Sequence, residues 1–265
     1  MGRLAIIAGG GVLPAALKAA QPDAFVAAFD GAPCDLPPDA IFAFEHLGAL
    51  WAALQEAGCD KVCFAGAMRR PSLDSARFDA GMMQLAPQLM AAMGQGDDAL
   101  LRVVLSGFAA QGFAIVAAHE AAPELLAPAG VFAGPKLSEG AHDDIARAQS
   151  ILHTMAPLDL GQACVVENGL CLGIETLQGT DFLLQSVAQT PSALRHGGGL
   201  LMKMPKTGQD LRVDMPAIGP QTIAGMVQAN LRVLAVAAGQ TLLLDRPALL
   251  RAADDAGVTI FGALG

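Results

Sequence analysis

The sequence predicts an α/β protein with a doubly wound first domain over residues 1–132 and a mixed α/β second domain over residues 133–265. Three observations carry this expectation. Short β-like runs alternate with helical stretches through the first half, which implies parallel pairing. A segment rich in Pro, Ala and Gly, from about Ala121 to Gly140, interrupts the pattern and marks a boundary. Beyond it the chain resumes with an amphipathic helix and a hairpin signal. Hydrophobic residues make up 53% of the 265 positions and charged residues 15%, so a large core can form and intrinsic disorder is excluded as the main state.

In chain order, Leu4–Ala8, Ala24–Phe29, Ile41–Phe44, Lys61–Ala65 and Phe113–Ala118 read as buried strands. Between them Pro14–Ala20, Leu47–Ala57, Met82–Met93 and Asp97–Gln111 read as helices. Asp97 and Asp98, just after Gly96, carry the capping and dipole signal of a helix start. The first domain is therefore expected to be Rossmann-like. In the second half Asp143–Met155 is a helix. Ala163–Val166 and Leu170–Ile174 flank Asn168-Gly169, the signature of a type I′ hairpin. A helix over Asp181–Ala188, a strand over Leu200–Met204, a short strand over Leu211–Asp214, a helix over Thr222–Ala229 and a closing β-β-α-β run complete the chain.

Composition removes several function classes. The net charge is −9 and acidic residues outnumber basic ones in both halves, so nucleic acid is not an expected partner. Five cysteines (34, 59, 63, 164, 171) form no C-x-x-C pair, which fits a reducing cytoplasm better than a disulfide scaffold. The N-terminal apolar run is broken by three glycines and Pro14, so it reads as a strand entering a ligand loop rather than a signal peptide. No segment approaches the roughly 20 apolar residues of a membrane span. There is no G-x-S-x-G elbow, no G-x-x-x-x-G-K-[ST] loop and no H-x-x-E-H metal signature.

Three places remain where chemistry can sit. Gly9, Gly10 and Gly11 follow the first strand and precede a helix, where backbone N–H groups can meet an anion; the spacing is not that of a dinucleotide fingerprint. Arg69 and Arg70 follow the strand ending near Ala65, at the carboxyl edge where doubly wound sheets hold ligands, and can clamp a phosphate. The densest group lies in the second half. Glu175 and Asp181 flank Gly179-Thr180, and Lys203, Lys206, Asp210, Arg212 and Asp214 crowd one short segment of a charge-poor chain. On a strand Arg212 and Asp214 would share one face. Carboxylates beside cations suit Mg²⁺-assisted phosphoryl chemistry, the acids holding the metal while Lys and Arg offset phosphate charge. The residues alone support a two-domain α/β protein acting on a phosphate-bearing ligand. An enzyme, a non-catalytic sugar-nucleotide or acyl-lipid binder, and a nucleotide-sugar transferase or dehydrogenase all stay open.

Gly9-Gly10-Gly11-Val12-Leu13-Pro14, Gly96-Asp97-Asp98 through Arg102, Glu175 through Gln178-Gly179-Thr180-Asp181, and Lys203-Met-Pro-Lys206 through Asp210-Leu-Arg212-Val-Asp214 together resemble the LpxI family, in order and over nearly the whole chain. Those are UDP-2,3-diacylglucosamine pyrophosphatases of lipid A biosynthesis. The resemblance implies hydrolysis of UDP-2,3-diacylglucosamine to 2,3-diacylglucosamine 1-phosphate (lipid X) and UMP, with Mg²⁺, in a Gram-negative cytoplasm. It implies a catalytic aspartate at Asp214, which with Glu175 and Asp181 would hold the metal. Gly9–Gly11, Arg69, Arg70, Thr180, Lys203, Lys206 and Arg212 would bind substrate. At Gln178 the chain departs from the family pattern, which has an acidic residue there. A soluble cytoplasmic enzyme in transient contact with the inner-membrane surface is expected; whether it forms a homo-oligomer stays open.

Overall fold

The computed structural model describes residues 2–94, 97–158 and 160–264. The chain separates into two compact units, Met1–Pro123 and Glu124–Gly265. The expected helix-start signal at Gly96, Asp97 and Asp98 lies outside the described residues and side chains.

The first unit runs β1 (Arg3–Ala8), α1 (Leu13–Ala20), β2 (Phe25–Phe29), β3 (Ala40–Phe42), α2 (Leu47–Glu56), β4 (Cys59–Ala65), α3 (Ala80–Ala92), α4 (Asp97–Ala110), β5 (Ala114–Ile115) and α5 (Ala118–Ala121). Its five strands are all parallel, in the order β3-β2-β1-β4-β5. The α/β expectation holds. Strand β1 is central, and five of its six residues are buried, which is why it reads as an unbroken apolar run. The winding direction reverses beside β1, so β1 and β4 bracket the switch point whose carboxyl-end crevice usually receives ligand. Against the sheet, Phe108 packs edge-on to both Trp51 and Phe64, with ring centroids 5.8 and 5.2 Å apart. The strand expected over Phe113–Ala118 is only two residues long, because α5 begins at Ala118.

The second unit runs β6 (Gly130–Ala133), α6 (Glu139–Met155), β7 (Ala163–Glu167), β8 (Leu170–Ile174), α7 (Gly179–Ala188), β9 (Gly199–Lys203), β10 (Ala217–Ile218), α8 (Pro220–Gln228), β11 (Leu231–Ala237), β12 (Leu242–Leu243), α9 (Arg246–Ala256) and β13 (Thr259–Ala263). A six-stranded mixed sheet has the order β6-β13-β11-β9-β7-β8, and β10 and β12 form a separate parallel pair. The unit begins at Glu124, ahead of the expected 132/133 boundary, because β6 pairs antiparallel with β13 and so belongs to this sheet. Asn168 and Gly169 adopt φ of 49° and 78°, the left-handed pair a type I′ turn demands. The carboxylate of Asp144 on α6 accepts both their N–H groups, at 2.9 and 2.6 Å, and ties the hairpin to the helix.

One expected element is absent. Leu211–Asp214 is a turn, not a strand, so Arg212 and Asp214 do not share a strand face. The segment hydrogen-bonds to itself instead of to a ladder. The N–H groups of Val213 and Asp214 donate to the Asp210 carbonyl at 3.2 and 3.0 Å, and Gln209 N–H donates to the Lys206 carbonyl. Gly208 supplies a φ of 83°, which an extended strand would not use.

Candidate active site

The charged residues of the second unit converge where β8, α7 and β9 end or begin. Antiparallel pairing of β7 with β9 sets Ala163 opposite Lys203, and Glu175 N–H donates to the Ala163 carbonyl at 2.8 Å. Glu175 just past β8 and Lys203 closing β9 are thereby brought to one end of the sheet, although they stand 28 positions apart in the chain. Both are buried.

Three side chains form a directed chain there. The Lys203 ammonium donates to Thr180 Oγ1 at 3.0 Å, and the Thr180 hydroxyl donates to Glu175 Oε1 at 2.6 Å. The other carboxylate oxygen of Glu175 accepts the Gln162 N–H at 2.8 Å. Burial pushes the Lys203 ammonium below the ordinary lysine value, against the opposing pull of the Glu175, Asp181 and Asp214 carboxylates. Asp181 lies exposed in the first turn of α7.

Asp214 is exposed and stands at the end of the turn after β9. Gln209 fixes it: its amide nitrogen donates to Asp214 Oδ2 at 2.6 Å, while its amide oxygen accepts the Lys206 N–H at 2.9 Å. Arg212 turns the other way and pairs with Asp210 at 2.7 Å. Residue-type reasoning missed Gln209 and Gln162; Gln209 carries a signal only in hindsight, as the polar neutral residue inside the densest charged segment. Gln178 accepts the Thr176 hydroxyl within the same loop, at the head of α7.

The first unit's candidates sit at its switch point but are not an open anion cradle. Gly9 N–H donates to the Ala65 carbonyl at 2.7 Å, and Gly10 and Ala67 exchange backbone bonds at 2.9 and 2.8 Å. Gly11 N–H donates to the Asp35 carboxylate at 2.7 Å. The glycines are needed for close approach: a Cβ on Gly9 would lie 2.5 Å from the Ala67 carbonyl oxygen. Arg69 and Arg70 are exposed just beyond, and Arg70 donates to the Met93 carbonyl at 3.3 Å. These residues belong to the first unit, and the Lys203 cluster belongs to the second.

The LpxI N-terminal domain model matches residues 3–125, and the LpxI C-terminal domain model matches residues 128–261. The chain belongs to the LpxI family. A curated relative, UDP-2,3-diacylglucosamine pyrophosphatase LpxI of Caulobacter vibrioides, is 38% identical over 273 residues, covering 99% of this chain and 98% of its own. The two LpxI domain models meet close to the break between the two compact units.

As an LpxI protein, the chain can be tested for a metal site on its own donors. Among the described residues no three His, Cys, Asp or Glu side chains gather to hold a metal ion. Mg²⁺ rarely needs an all-protein cage; it takes one or two carboxylates and completes its shell with substrate phosphates and water. Asp214 and Asp181, both exposed, fit that role. Glu175 fits it less well, since both its oxygens already accept hydrogen bonds.

Proposed function

We propose that this chain hydrolyses the pyrophosphate bond of UDP-2,3-diacylglucosamine, releasing UMP and 2,3-diacylglucosamine 1-phosphate in lipid A biosynthesis. The observation that carries the reading is the match, over 99% of the chain, to a relative named for that activity. The second unit has the groups the chemistry requires. A diphosphate brings concentrated negative charge, which Lys203 and Lys206 offset, with Arg212 partly neutralised by Asp210. Asp214, whose Oδ2 accepts from Gln209, keeps its other carboxylate oxygen able to orient water and take its proton.

Asp214 and Asp181 would hold Mg²⁺ together with the substrate diphosphate, and the ion would supply relief of charge on the phosphoryl oxygens. Within the first unit, Gly9–Gly11 shape the switch-point turn, and Arg69 and Arg70 lie exposed just beyond it. Next to the charged cluster, Ile174 and Phe182 expose apolar surface lining a cavity of about 110 Å³, a surface suited to acyl chain. Among the described residues no helix is long and apolar enough to cross a membrane. In this reading the enzyme meets its lipid substrate by transient contact at the cytoplasmic face of the inner membrane.

Incubating the purified chain with UDP-2,3-diacylglucosamine and Mg²⁺ and following UMP tests the reading. UMP release above a protein-free blank is expected. Substrate retained without any UMP would make the chain a sugar-nucleotide or acyl-lipid binder.

A further inference from the structure

Lysine is an obligate donor, and a threonine hydroxyl has one proton to give. With Lys203 donating to Thr180 Oγ1, the hydroxyl proton goes to Glu175, so the direction of the chain Lys203 → Thr180 → Glu175 is fixed. Its far end is anchored too, because Glu175 Oε2 takes a backbone N–H from Gln162, at the entry to β7. Glu175 is 6% exposed and Lys203 9% exposed, so neither side chain has room to choose another rotamer in solvent. An unanchored lysine stem is floppy, and orienting it costs rotamer entropy each time it must meet a phosphate. Here that ordering is built into the fold.

We propose that Glu175 and Thr180 are positioning residues for Lys203, holding its ammonium on the diphosphate, and that Glu175 acts as a buried counter-charge rather than as a metal ligand. This deepens the proposed function, since it rests on Lys203 meeting the diphosphate of the substrate. An ammonium carries three donors, so one can stay on Thr180 while the others reach phosphate oxygens. A carboxylate whose oxygens are committed to Thr180 and to backbone, with a cation two hydrogen bonds away, is poorly placed to recruit a second cation.

Three variants test this: Thr180→Val, which removes the hydroxyl at similar shape; Thr180→Ser, which keeps it; and Glu175→Gln, which keeps the shape and removes the charge. Each is read by kcat and KM, by the Mg²⁺ concentration giving half-maximal rate, and by calorimetric binding of UDP in EDTA, where no metal contributes. Misplacing a reacting group can cost on the order of 10²-fold. Thr180→Val is expected to lower kcat by about 10- to 100-fold and to change KM by less than about 3-fold, while Thr180→Ser stays within about 3-fold of wild type. Glu175→Gln is expected to weaken metal-free UDP binding by about 10-fold and leave the half-maximal Mg²⁺ concentration unchanged.

A Glu175→Gln variant that needs about 10-fold more Mg²⁺ and binds UDP normally in EDTA overturns the proposal, as does wild-type kcat in Thr180→Val. If Thr180→Val does not fold, Thr180→Ser and Glu175→Gln still decide through the EDTA measurement. If wild type binds UDP but makes no UMP, the proposed activity fails while loss of UDP binding in the variants still upholds the positioning role. If wild type turns over and the variants change neither kcat nor UDP binding, the positioning role fails alone.

Discussion

Replacing Asp214 with asparagine removes one negative charge from an exposed turn and leaves its shape unchanged. In this structure Asp214 is held by the neutral amide of Gln209 at 2.6 Å and Arg212 pairs with Asp210, while the Asp214 charge acts on Lys203 electrostatically. An exposed hydrogen bond contributes about 0.5–1.5 kcal/mol, and asparagine keeps an acceptor oxygen for Gln209, so the stability cost should be about 0.5 kcal/mol or less. At about 2–4 °C per kcal/mol the melting temperature then moves by no more than about 2 °C. Turnover is different. Losing the group that takes a proton or meets a catalytic metal costs roughly 10²-fold or more in kcat, about 2.7 kcal/mol in the barrier. The assay measures kcat from UMP release and the melting temperature from circular dichroism on one preparation. Substrate affinity should change much less than kcat, so the variant should retain uncleaved substrate. Near-wild-type turnover removes Asp214 from catalysis. A fall in turnover matched by a collapse in melting temperature assigns it to stability instead.

Two further outcomes follow from buried groups outside the charged cluster. Glu167 and Arg195 form a buried ion pair at 2.6 Å, and Glu167 also accepts the His196 N–H, so Glu167→Gln should cost about 3–5 kcal/mol and lower the melting temperature by about 10 °C. Burial raises the Glu167 carboxyl, but Arg195 and the His196 N–H outweigh it and hold the group below its ordinary value of 4.5. Its stabilisation is therefore complete above that value and lost as pH falls through the lowered folded one, so wild type should lose melting temperature on acidification more steeply than Glu167→Gln, and parallel curves would contradict this. In the first unit, Gly9→Ala puts a Cβ 2.5 Å from the Ala67 carbonyl oxygen and should lower the denaturant midpoint by the equivalent of about 1–3 kcal/mol; an unchanged midpoint would show that the β1–α1 turn yields easily.

What was legible in the sequence depended on how local its cause is. The parallel strands β1 and β2 announce themselves because a strand covered on both faces is apolar along its buried length. Asn168-Gly169 announces a hairpin because few other residues tolerate two successive positive φ angles. The segment Leu211–Asp214 misleads for the same reason that such rules work: its apolar and charged residues alternate with period two, yet Asp210 closes a turn with its carbonyl and takes Arg212 on its carboxylate. The triple glycine misleads differently. Gly9 to Gly11 look like donors waiting for an anion, and only the approach of the segment after β4 to the β1–α1 turn shows those donors already spent on Ala65, Ala67 and Asp35. Charge density did single out Lys203 and Asp214. It could not reveal that Thr180, 23 positions away, receives the lysine, because that contact exists only once β7 has paired with β8 on one side and β9 on the other. A pattern can name the charged groups of such a site, whereas which carboxylate balances which cation is decided by strand pairing. The chain alone does not show that Glu175 lies two hydrogen bonds from Lys203, through Thr180.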